Sequence, residues 1–161
     1  MNIYEFLKTG VLGGLVVGDT EDALYQKFDQ EWLGKKLYPD KAYQDVYYYY
    51  ADGGRVEICI QFGEVAHFNI DADDPTFYME AQAKQYSLSK VHSFEQLVAL
   101  LDDLKIGWQF YTRYCLHKQV TIVTEGNVLL TFMYLEAGQS YLAKLHINSD
   151  TSYENSAKCT P

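Results

Sequence analysis

The sequence predicts an α+β fold: two diverged α-β-β-β units in one domain, with helices packed on one face of antiparallel sheet. Three patterns predict it. Residues 55–62 alternate, with Val56, Ile58, Ile60 and Phe62 against Arg55, Glu57, Cys59 and Gln61, the period of a half-buried strand. Phe94, Leu97, Val98, Leu101 and Leu104 recur at helical spacing behind Ser93-Phe94-Glu95-Gln96, which has the form of a capping box. A capped helix followed by a run of alternating segments then occurs once in each half of the chain.

Taken in order, Asn2 and Glu5 have capping-box spacing, and Ile3, Phe6 and Leu7 share a face, so residues 3–8 read as a short helix stopped by Gly10. Gly13-Gly14 turns the chain into Leu15-Val16-Val17-Gly18. Asp19 or Thr20 caps a second helix, with Glu21 and Asp22 in the first turn, where the helix dipole favours acids. Ala23, Leu24 and Phe28 form its buried stripe. Residues 29–45, polar and interrupted by Pro39, read as a loop. Strands are expected at 46–50, 55–62 and 65–70, joined by Asp52-Gly53-Gly54 and by Gly63-Glu64. The third would turn Ala66, Phe68 and Ile70 to the core, with His67 and Asn69 opposite.

Residues 76–91 carry no decisive pattern. The Ser93 helix ends at Gly107, and strands follow near 108–114, 119–124, 128–135 and 141–147, with turns at Gly126-Asn127 and Ala137-Gly138. The halves would run over about 1–74 and 90–148, with 149–161 as a loose polar tail. Within them, 66–73 aligns with 143–150, and Val56, Ile58, Ile60 and Phe62 parallel Val128, Leu130, Phe132 and Tyr134. Period-2 alternation alone makes amphipathic hairpins look alike, so shared descent is one of two readings of that match.

Composition narrows the function. The chain has 161 residues, 48% of them hydrophobic, enough for a sizeable core. Thirteen Lys and Arg stand against 22 Asp and Glu, a formal charge of -9. Nucleic-acid binding needs the opposite balance, and anionic membranes repel such a surface, whereas basic proteins are drawn to it. The first residues, Met1 to Lys8, do not resemble a signal peptide, and no run approaches the roughly 20 apolar residues of a membrane helix. A cytoplasmic protein with reduced thiols is the expectation, because Cys59, Cys115 and Cys159 show no ligand or redox spacing.

No reactive constellation emerges. The glycines at 10, 13 and 14 lack phosphate-loop spacing, and Asp71, Asp73 and Asp74 lack the glycine and distal glutamate of a calcium loop. His67 and His146 are the one conceivable paired site, with ordinary strand histidines the simpler reading. The expectation is therefore no catalytic residues, no cofactor and no metal. The run Tyr47-Tyr48-Tyr49-Tyr50 is the oddest local feature: in a strand, two rings point each way, one pair to the core and one to the open face.

The segment from Leu15 to Leu24, the tyrosine-rich strand, Val56-Glu57-Ile58-Cys59-Ile60-Gln61-Phe62, the Ser93 helix with Ile106-Gly107-Trp108, and 120–126 together resemble small bacterial immunity proteins of polymorphic and contact-dependent toxin systems. The layout also resembles the tandem α/β repeat of the β-lactamase inhibitory protein, in architecture only. The resemblance carries over no catalytic residue. It implies a protein that neutralises the basic C-terminal domain of a cognate toxin, with a nuclease as the expected toxin; a secretion chaperone or assembly factor is the alternative. The residues expected to bind the partner are Tyr47, Tyr49, Glu57, Asp71, Asp73, Asp74 and Glu125.

Overall fold

A computed structural model describes residues 1–40, 44–81, 84–136 and 139–151. Three helices do the covering: α1 (Tyr4–Thr9), α2 (Glu21–Lys27) and α5 (Phe94–Asp103). Between α2 and α5 lie the short α3 (Gln30–Leu33) and α4 (Ala51–Gly54), the latter a tight hairpin turn in which Asp52 and Gly53 are left-handed. The main sheet is antiparallel throughout, with strands β1 (Lys36–Leu37), β2 (Val46–Tyr50), β3 (Val56–Gln61), β4 (Glu64–Asp71), β7 (Trp108–Phe110), β8 (Gln119–Thr124), β9 (Leu129–Tyr134) and β10 (Ser140–Asn148). A separate hairpin pairs β5 (Tyr78–Ala81) with β6 (Lys84–Ser87).

The strand order β1-β2-β3-β4-β10-β9-β8-β7 sets two four-stranded meanders back to back, joined where the last strand of each pairs. Each unit thus has four strands rather than three, the first gaining the two-residue edge strand β1. Apolar residues of alternating strands face one side, and all three covering helices pack there: Phe6 of α1 meets Phe68 edge-on, Tyr25 of α2 meets Tyr49, and Phe94 of α5 meets Phe132. Burying large rings of this kind contributes roughly 2–3 kcal/mol apiece before side-chain entropy is counted.

The caps at Thr20 and Ser93 form as expected, the second a complete capping box. Asn2 behaves differently: its Oδ1 accepts from the Tyr4 and Glu80 amides, and so ties the chain start to β5. The 29–45 loop contains a helix, because Asp29 caps α3 through the Trp32 amide while Trp32 stacks on Phe28 with centroids 4.0 Å apart. Residues beyond Phe110 leave the expected strand for a 3-10 turn, Thr112–Tyr114. The expected Ala137-Gly138 turn and nearly all of the tail lie outside the described residues.

A β-bulge corrects the β4 core face. Cys59 pairs with His67 but Ile60 with Val65, so Ala66 is the extra residue and Val65 takes its place in the core. In β10, Leu142 pairs with Phe132 but Lys144 with Thr131, which makes Ala143 the extra residue. The bulges therefore fall on the aligned alanines of the two halves. Gly10 and Gly126 hold the halves together at close range: a Cβ on Gly126 would lie 2.5 Å from the Gly10 nitrogen.

Candidate docking face

The helix-free face of the sheet is built from the residues between the core positions of β1 to β4 and β10. Backbone register lines them up in rows across the strands. One row reads Tyr50, Glu57, Asn69, His146 and Leu129; the next reads Leu37, Tyr48, Cys59, His67 and Asn148. At the far end of β4, Asp71 stands opposite Lys144. The β8–β9 part of this face is closed off. Tyr111, Val123 and Leu129 form a small second core there, and Thr121, buried, donates to the Tyr114 carbonyl. The open area is thus narrower than two full sheets.

At its centre Glu57 accepts from Asn69 Nδ2 at 3.2 Å, and His67 Nε2 lies 3.5 Å from Glu57 Oε1. His146 lies beside His67, the rings tilted by 46° with centroids 5.3 Å apart, and shares a hydrogen bond with Asn148. Burial lowers the pKa of His67, with Glu57 pulling the other way. Burial, then the neighbouring His67 and Lys144, hold His146 down at about 4, so both rings are neutral at pH 7. Cys59 is buried and its thiol pKa is raised by that burial, the environment of an inert cysteine. Among the described residues no three His, Cys, Asp or Glu side chains come together to hold a metal ion.

At the sheet edge, Leu37, Tyr38, Pro39, Tyr48, Tyr50 and Glu57 line an open cleft of about 360 Å³. Leu37, Tyr38 and Tyr50 are 51%, 47% and 41% exposed. A further exposed aromatic caps the β3–β4 hairpin: Phe62 is 74% exposed and left-handed, with φ 52°.

Two expected contact residues are displaced from this face. Tyr47 and Tyr49 are 7% and 0% exposed and point to the helices, because Tyr50 pairs with Glu57 and Tyr49 with Ile58. Their phenols, with that of Tyr25, all donate to Glu21, which also receives Lys36 at 2.8 Å. Burial pushes the Glu21 carboxyl up, but these donors, Lys36 foremost, outweigh it and hold its pKa down at about 2. The hub ties α2 to β1 and β2.

The remaining candidates do not gather at one point. Glu57 is on the face and Asp71 at its border. Asp73 is exposed beyond it, and Asp74 is occupied locally by the Thr76 amide and hydroxyl, which lower its pKa. Glu125 is exposed at the β8–β9 turn, the end of the sheet opposite Asp71. Sequence reasoning did not select Leu37, Tyr38, Tyr48 or Tyr50, and it put Phe62 on the apolar face of its strand, whereas the left-handed turn at Phe62 leaves the ring in solvent. For Tyr48 and Tyr50 a signal exists: pairing counted outward from the Asp52-Gly53-Gly54 turn puts them, not Tyr47 and Tyr49, beside Glu57 and Cys59.

No family model, curated protein or solved structure matches the chain. The face itself is therefore the guide to function. It combines acids, neutral histidines and exposed tyrosines on an open sheet surface. No helix among the described residues is long and apolar enough to cross a membrane.

Proposed function

We propose that this chain is an immunity protein that binds the basic C-terminal domain of a cognate toxin in the cytoplasm and covers its working surface. The observation that carries the proposal is the open edge of the sheet: exposed Leu37, Tyr38 and Tyr50 surround the Glu57 carboxylate on a protein of net charge -9. Tyrosine supplies large contact area at little entropic cost, and acids supply attraction to a surface evolved to hold nucleic acid. Steering by the whole charge accelerates encounter, and the aromatic edge then sets the lifetime of the complex. An interface of standard size, roughly 1,600 Å² in total, would take in this edge and part of the neighbouring surface.

The test is co-expression of the chain with the toxin domain encoded beside its gene. Survival of cells that make both, and death of cells that make the toxin alone, is the expected result; death of both would refute the proposal. The second reading is a secretion chaperone or assembly factor. It draws on the dispersed exposure of Phe62, Leu116 and Leu135, which lie outside the edge cleft. That reading predicts many clients in a pull-down where the first predicts one.

A further inference from the structure

We infer that the cleft between residues 37–39 and the Tyr48/Tyr50 stripe is a receptor for an arginine side chain of a basic protein partner, with Glu57 receiving the guanidinium. A filled cation site of similar composition lies on the other side of the sheet. There, Glu21 is ringed by Tyr25, Tyr47 and Tyr49, and the cation that completes the group is Lys36. Its ammonium lies 2.8 Å from the carboxylate and 4.5 Å from the centre of the Tyr47 ring. A carboxylate among tyrosines binds a cation twice over, by charge and by the negative faces of the rings.

The edge cleft repeats that composition without its cation. Glu57 stands beside Tyr48 and Tyr50, and Tyr38, whose ring leans on Tyr47, also borders the cleft. Among the described residues it forms no ion pair with a lysine or arginine; its partners there are the neutral Asn69 amide, the His67 ring and the Tyr50 phenol. Burial followed by the Glu57 carboxylate raises the Tyr50 pKa, which places that phenol within the reach of the same charge. Among the described residues Glu57 is the one charged group in the lining, which favours a cationic ligand over an anionic one. The cleft is open, at a sheet edge, and about 360 Å³ in volume, which suits an extended side chain presented by a surface.

Arginine fits better than lysine because its plate can lie on a tyrosine ring while its edge pairs with the carboxylate. Tyr48 and Tyr50 offer rings inclined by 30° with centroids 6.5 Å apart. That the arginine belongs to a toxin domain rests on the proposed function; the chemistry of the cleft does not.

The test is an amide NMR titration of the full-length chain with Nα-acetyl-argininamide, using the uncharged acetyl-citrullinamide as control. Saturable shifts confined to residues 37–39, 48–50 and 57 are expected with the arginine compound, at least fivefold weaker with the control and in Glu57→Gln. Tyr50→Val, on an exposed strand end, provides a second variant should Glu57→Gln lose its dispersed spectrum, and should weaken binding similarly. Shifts scattered over the acidic surface, or equal affinity for the citrulline compound or for the variants, would overturn the inference. Arginine binding without protection in co-expression would sink the immunity reading alone. Protection without arginine binding would sink the cleft alone.

Discussion

Tyr49 and Phe62 show how differently two aromatic residues are used in one meander. The Tyr49 ring is fully buried, and its phenol reaches Glu21 at 2.5 Å. Removing that oxygen leaves the packing intact but takes one donor from a carboxylate held ionised by its donors. Tyr49→Phe should therefore destabilise the fold by about 1–2 kcal/mol in chemical denaturation. Phe62 has the opposite situation: an apolar ring in water on a left-handed backbone, where glycine is more at ease. Phe62→Gly should raise stability by up to about 1 kcal/mol in the same assay, because strain is relieved and little burial is lost. A drop in stability would mean that the ring packs where it appears exposed. A residue that costs the free chain stability is a candidate for use in contact with something else.

At the scale of elements, the seam between β4 and β10 carries the pH dependence. His146 titrates at about 4 in the fold, below its ordinary 6.5, so the unfolded chain takes up the proton first. Stability should be unaffected by this group above pH 6.5, fall as the pH drops from 6.5 towards 4, and level off below. The ring is only half-buried, which limits the loss to about 1–2 kcal/mol. His67 shifts in the same direction and adds to the trend. Glu21 acts lower: its folded value of about 2 lies below the ordinary 4.5, so the stability it lends is complete above 4.5 and fades as the pH falls through 2. Denaturation midpoints measured from pH 7.5 to 3 in wild type and His146→Asn check this, the variant losing much of the decline between 6.5 and 4.

The elements also show what could be read from sequence. Period and caps predicted α2, α5, β3 and β8 because each carries its own signal. The helix α3 was hidden in a polar stretch, where its signal is one capping Asp29 and one buried Leu33. The bulges at Ala66 and Ala143 are invisible to a strict alternation rule, since an extra residue shifts every later side chain to the other face. The site suffered from the same parity problem: a four-tyrosine run reads identically from either side, and only its pairing with β3 decides which rings are buried.

For the molecule as a whole, the meanders put one polar sheet surface on the outside, and the 3-10 turn Thr112–Tyr114 covers part of it. What stays open is the β1–β4 side and β10, where tyrosines, Glu57 and Asp71 meet solvent, on a chain whose charge favours basic partners. The central claim is that this surface docks the partner. Calorimetric titration of the cognate toxin domain that the proposed function requires, into wild type and into a Tyr50→Asp/Glu57→Lys double variant of unchanged circular dichroism, checks whether it does. A one-to-one complex with wild type and an affinity at least a hundredfold lower in the variant are expected. Equal affinity for both proteins would contradict the claim.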